Sequence, residues 1–285
     1  MSTSTETSDD AAVAPGSFAA AWSEWHAAHE RQRADPHGFL AVTHLHWLGD
    51  EPVRLDGAPG TWRVQDEVVH LVLGAGESIL RDGQELNPDG TGATVLLGPI
   101  AERGGVNLES GETVIEVAKR GGEYLVRPRH PGQSLLAGYR GTPSYAPDPE
   151  YSVTGIFVPF GQPRRTTVGA AIERIQHVYE APGELRFRLG GEDLVLTAFN
   201  GHAPGTLSVL FTDATSGRTT YAANRSLSVA APGPDGTVTL DFNRAVNLPC
   251  AYTDLATCPL PPAENRLPVA VEAGEQIPYE RQDAS

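Results

Sequence analysis

The chain has 285 residues, 40% of them hydrophobic, with 31 glycines and 23 prolines dispersed along it and a formal net charge of −15. That length suits two modest domains or one large all-β unit, and scattered Gly and Pro fit many short strands joined by turns. The negative charge argues against nucleic acid and against an anionic membrane surface as partners, while a small ligand in a local pocket stays open.

The opening MSTSTETSDDAAVAPGS is polar and acidic, with neither a basic start nor an apolar run, so no signal peptide is read there. Residues 1–16 are expected to be a disordered acidic tail. No stretch reaches the roughly 18 apolar residues of a membrane span, and the chain is read as cytoplasmic. Ser17 is placed to cap a helix in which Phe18, Ala21, Trp22, Trp25, Ala28 and His29 form a stripe, ending at Asp35-Pro36. Two tryptophans on one face call for a partner surface, expected in the first β unit.

From residue 50 onward the pattern becomes that of strands. WRVQDEVVHLVL, ILRDGQEL, TVLLGPI, GVNLES and TVIEVAKRGGEYLVRPR read as a meander, with tight turns at Asp82-Gly83 and Gly121-Gly122. A Pro/Gly/Tyr-rich connector follows near 135–150. YSVTGIFVPF, RRTTVGAAI, RIQHVYEA, LRFRLGGEDLVLTAF, TLSVLF, NRSLSVA and TVTLDF continue, with a further hairpin expected to turn at Thr215–Gly217. The spacing predicts a mainly β protein of two antiparallel sandwich or barrel-like units with one N-terminal α-helix. The divisions are 1–16, 17–135 (helix plus first β unit) and 136–285 (second β unit).

Residues 243–268 stand apart. They lack periodicity, carry Pro249, Pro259, Pro261, Pro262 and Pro268, yet hold enough apolar residues to be buried. This composition predicts a fixed strap whose backbone needs side-chain partners. Arg244, Asn247, Tyr252, Asn265, Arg266, Asn243 and Cys250 are the candidate lining of a pocket for a small polar or anionic ligand, because guanidinium forks and amides bind such groups directionally. Asp213, Asp241, Tyr221, Arg225 and Cys258 are candidate supports. The competing reading is structural: Asp213 and Asp241 pair with Arg244 or Arg266, and the strap only seals the β unit. A third is a hydrolase or lyase using a carboxylate or a thiol, in which Cys250 would need a base such as His177 or His202. Cys250 and Cys258 otherwise read as two small buried hydrophobes. No G-x-S-x-G, Walker or G-x-G-x-x-G pattern is present, so no nucleotide cofactor is expected. His26, His29 and Glu30, or His44 and His46, fit surface or core positions better than a metal site, and no metal is expected.

FTDATSGRTTYAANRSL followed by VTLDFNRAVNLPCAYTDLATCPLPPAENRLPVAVEAGE resembles the bacterial and archaeal domain-of-unknown-function family 1684. HGFLAVTHLHWL and RPRHPGQSLLAGYRGTPSYAPDPEYSVTGIFVPF extend the resemblance over most of the chain. The chain departs from many relatives at His130-Pro131, where they place Asp-Pro. The resemblance implies a two-part, β-rich build and no particular reaction, substrate or cofactor.

Overall fold

The structure, a computed structural model, describes residues 15–282. The tail expected over residues 1–16 lies outside the described residues as far as position 14. The helix already runs from Pro15, as Pro15–Arg33. Proline's preset φ suits a first helical turn, so Ser17 stands inside the helix rather than before it. Two one-turn helices, Ser134–Ala137 and Tyr279–Gln282, were not anticipated. The rest is mainly β, in several antiparallel sheets that include a half-barrel. No helix among the described residues is long and apolar enough to cross a membrane.

One sheet has the spatial order His46–Trp47, Glu123–Arg129, Thr113–Arg120, Gly105–Ser110, Leu80–Arg81, Gln84–Glu85. A second has the order Val53–Leu55, Ala58–Gln65, Val68–Leu73, Ala93–Leu97. Trp62, Val69 and Leu71 of the second meet Ile115, Val117, Tyr124 and Val126 of the first in one apolar cluster. The Asp82-Gly83 turn takes positive φ at both positions, as a two-residue hairpin with right-handed strand twist requires. Thr113–Arg120 is covered on both faces. Ile115 and Val117 enter the cluster, while Glu116 and Ala118, which alternate with them, are also buried.

The third sheet has the order Arg225–Val229, Leu207–Phe211, Glu192–Asn200, Gln176–Leu189, Ser152–Gly169, Thr237–Asp241. Its inward side chains, among them Leu185, Phe187, Leu196, Val209, Phe211 and Leu240, form a separate core. The expected hairpin at Thr215–Gly217 is instead a longer loop. Phe211 already pairs with Arg225, and Asp213 folds the chain between them by accepting both the amide and the hydroxyl of Thr215. An aspartate bonding its own backbone two residues on replaces the tight turn.

The strap crosses the open side of this third sheet and contributes Leu267, with Val271 and Ala273 just beyond it, to the core. Its irregular backbone pairs with neighbouring chain only at isolated bridges, Ala170 with Pro259, Thr212 with Arg266 and Ser226 with Val246, and buried side chains supply further partners. Asn265, fully buried, accepts from the Thr197 amide at 2.7 Å and donates to the carbonyls of Thr197 and Leu210 at 2.9 Å each. Arg225, 1% exposed, donates to Asp213 Oδ2 at 2.9 Å and to the carbonyls of Val271, Ala273 and Glu275. Removing one member of a buried ion pair typically costs about 3–5 kcal/mol. Arg225→Met should therefore lower unfolding free energy by about that much, read as a fall in the urea midpoint; a change under about 1 kcal/mol would show that the carbonyls find other donors.

Candidate functional site

Two polar clusters meet the strap. The first ties it to the N-terminal helix. Glu275, 1% exposed, accepts from Arg33 Nη2 at 2.7 Å and from the Asn247 amide at 2.6 Å. Arg33 also donates to Thr142 Oγ1 at 2.6 Å and to Glu30 Oε1 at 3.0 Å. Tyr139 donates to the other Glu30 oxygen, and the Tyr252 hydroxyl meets Thr142 Oγ1 at 2.7 Å. Burial pushes the Glu275 carboxyl up, with Arg33 and the Asn247 amide pulling against it. Burial and the neighbouring Arg33 hold His29 down at about 4. His29 Nε2 lies 2.7 Å from Arg33 Nη2, so the ring accepts there and is neutral. The helix thus docks on the strap and the 139–144 segment rather than on the first β unit. Its contact is largely ionic: Trp22 and Trp25 are only half-buried, while Arg33 is buried. Trp22 Nε1 still donates to the Asn243 carbonyl at 2.8 Å. Beside this cluster lies an open cleft of about 520 Å³ lined by His26, Glu30, Tyr139, Arg140 and Tyr279 among others.

The second cluster sits on the far face of Thr113–Arg120 and its partner strand. The two-residue turn at Gly121-Gly122 sets Glu116 directly opposite Arg127. Arg127 Nε and Nη2 reach the Glu116 oxygens at 3.0 and 2.8 Å, a bidentate fork. Arg129 binds the same carboxylate, and Arg120 Nη2 lies 3.3 Å from it. Burial alone would raise the Glu116 pKa, but Arg127 and Arg129 outweigh it and hold the carboxyl below the usual range. The carboxylate is therefore ionised, and three guanidiniums surround one negative charge. Burial, then repulsion from Arg127, lowers the Arg120 pKa, with Glu116 and Glu102 pulling the other way. The Arg129 Nε is buried without a partner. Arg127 and Arg129 form one wall of a half-enclosed cavity of about 170 Å³. Phe39, Val42 and the strap residues Pro249, Thr253, Leu255, Ala256, Thr257 and Cys258 form the others.

The residues expected to line a pocket divide accordingly. Asn243 (to Asp148 and Asp241), Asn247, Tyr252 and Asn265 are buried, and their hydrogen bonds go to the protein itself. Arg244 is exposed, paired with Asp241 at 3.2 Å and lying 5.3 Å over the Trp25 ring. Arg266 is exposed and joins the fold through its backbone bridge to Thr212. The structure does not bring Arg244 and Arg266 together. Among the supports, Asp213 pairs with Arg225, and Tyr221 donates to the Cys250 carbonyl at 2.8 Å. Cys250 and Cys258 adjoin, the Cys250 amide donating to Cys258 Sγ at 3.3 Å. His177 is buried against the Thr257 carbonyl, and His202 is exposed on another face. The cavity's guanidiniums come from the first β unit, in RPR, which had been read only as the end of a strand. Alternation of Arg127 and Arg129 opposite Glu116 across a Gly-Gly turn was the signal that could have found them.

Neutral His29 contributes stability in full above pH 6.5, the ordinary histidine value, and loses it as pH falls through about 4, because the unfolded chain takes the proton first. The stability difference between wild type and His29→Gln should shrink steadily over that window, measured by urea titration at several pH values. Glu275, whose raised pKa tilts stability the opposite way, is present in both proteins. A pH-independent difference would show that the ring is not held neutral.

A family profile described as "Protein of unknown function (DUF1684)" matches residues 137–276, about half of the chain rather than the larger share suggested by the upstream motifs. The match takes in Asp213, Arg225, the whole strap and Glu275, whereas Arg33, Glu116, Arg127 and Arg129 lie before it. A solution NMR structure of an uncharacterized protein of Haloarcula marismortui has 34% sequence identity, covering 49% of this chain and 78% of that one, with a TM-score of 0.42. No curated protein matches. The chain belongs to the DUF1684 family.

Proposed function

We propose that this protein binds a small anion, of carboxylate or phosphate class, in the cavity between the Arg127/Arg129 wall and the strap. One observation carries this reading: three guanidiniums converge on the single carboxylate of Glu116, beside a cavity, in a chain of net charge −15. Uncompensated positive charge at low local dielectric is costly, and an entering anion relieves it. The remaining lining favours a short organic acid. Phe39, Val42, Leu255 and Ala256 offer apolar contact, and Thr253 and Thr257 offer hydroxyls. A volume of about 170 Å³ is small beside the ~300–1,000 Å³ of drug-sized sites, which restricts the ligand to a few heavy atoms beyond its charged head. The cavity adjoins the strap, but of the residues expected from the sequence to form a site only Cys258 lines it.

Binding is favoured over covalent catalysis by the thiol that shares the cavity. The hydrogen bond with Cys250, together with burial, pushes the Cys258 thiol well above its ordinary value. A protonated thiol is a poor nucleophile.

Calorimetric titration at low ionic strength with inorganic phosphate, acetate and butyrate tests the reading. A charge-assisted hydrogen bond is worth about 1.5–3 kcal/mol, so Arg129→Gln should weaken the best of these by roughly tenfold or more. Glu116→Gln, which removes the competing carboxylate, should tighten it. Absence of heat and of thermal stabilisation with all three anions, alongside destabilisation by both substitutions, would mean that the cluster is only a brace between the sheet and the strap.

A further inference from the structure

Cys250 and Cys258 are the chain's two cysteines, both free. They share one small apolar cluster with Ala256, and the Cys250 amide donates to Cys258 Sγ. They open onto different hollows. Cys258 lines the cavity beside Arg127 and Arg129, while Cys250 lines a second hollow of about 280 Å³ with Tyr221 and Asp254. Thr253 and Ala256 border both hollows, so the segment between the cysteines is a thin partition. That segment also supplies Thr253, Leu255, Ala256 and Thr257 to the anion cavity.

The geometry points to a redox modification site: Cys250 and Cys258 form a reversible intramolecular disulfide by exchange with a small organic disulfide, cross-linking the strap wall of the anion cavity. The two sulfurs have unequal roles. The hydrogen bond from Cys258 lowers the Cys250 thiol pKa, against burial that raises it, and the nearby Arg281 charge adds to the lowering; Cys258 is shifted the other way. Cys250, which also lines the hollow beside Tyr221 and Asp254, is therefore the attacking thiol. Its thiolate attacks one sulfur of the small disulfide RSSR, forming Cys250–S–S–R and releasing RS⁻, which takes the proton that Cys250 gave up. Cys258 then loses its proton, attacks the Cys250 sulfur and expels the second RS⁻, which is protonated in turn. Two protein thiols are oxidised by two electrons, and one RSSR is reduced to two RSH. The hollow beside Cys250 is where the reagent enters.

The bond closes a short loop, Cys250 to Cys258, around the residues that wall the cavity. Its effect on anion affinity rests on the function proposed above, but the oxidation itself does not. Full-length folded protein is incubated with 2-hydroxyethyl disulfide at mildly alkaline pH, and intact mass and free thiols are followed. The expected product is lower in mass by two hydrogens, has lost both thiols and is restored by dithiothreitol. Cys258→Ser should stop at the mixed disulfide on Cys250, and Cys250→Ser should react at least about tenfold more slowly, as a protonated thiol does. Thiols that stay free until denaturant is added, or mixed disulfides on both cysteines of the wild type, would overturn the proposal. Phosphate titration of the oxidised and reduced forms then reads the coupling: a change of about threefold or more is expected, and equal affinities refute the coupling. Lack of phosphate binding in either form counts against the anion site alone, because the mass measurement stands apart from it.

Discussion

Arg225 is a fully buried cation with one carboxylate partner, Asp213, and its remaining guanidinium hydrogen bonds go to the backbone carbonyls of Val271, Ala273 and Glu275. From residue 243 onward the described chain forms no regular strand and pairs its backbone with neighbouring segments at isolated bridges, yet it fills the open side of a sheet. Buried polar backbone without partners is among the costlier features a fold can carry. Arg225 from one side and Asn265 from another act as substitutes for a missing strand. With the carbonyls beyond Val271 fixed, the Glu275 side chain is placed to receive Arg33, and the N-terminal helix has a surface on which to dock.

The same strap makes the cavity. The far face of Thr113–Arg120 would ordinarily be a solvated sheet surface, on which charged side chains are unremarkable. Strap residues 249–258 lie beside Arg127 and Arg129 and confine their charge to a space of low polarity. An arginine that water would screen then interacts strongly with whatever occupies that space. The cavity is thus a joint product of a sheet strand and the strap: its charge comes from Glu123–Arg129, and its apolar and hydroxyl walls come mainly from residues 249–258.

Much of the architecture was legible in the residues because the signals were local. Asp82-Gly83, Gly121-Gly122 and Gly190-Gly191 each sit at a two-residue turn where positive φ is needed, and the strands flanking Gly190-Gly191 alternate in burial. The strap was legible as buried because its apolar residues and prolines are inconsistent with a solvated loop. Side-chain direction within it was not legible, since an irregular segment has no period from which to infer a face. Arg244 and Arg266 therefore looked like neighbours of Asn247 and Asn265, yet they point outward while the asparagines point in. The helix misled in a related way. Its tryptophans suggested an apolar seat, but docking depends on Arg33, whose partner Glu275 is 242 positions away. No short-range pattern encodes such a pairing.

That separation has a bearing on how the molecule is made. Translation delivers the helix well before Glu275, 242 positions on, and domains form as their segments leave the ribosome. Until residues 243–275 have emerged, Arg33 lacks its Glu275 partner and the Trp22 indole, which bonds to Asn243 221 residues away, has no acceptor. The helix, made before the strap, is thus fully seated only after it. Its arrival reports that the strap has already been threaded across the sheet.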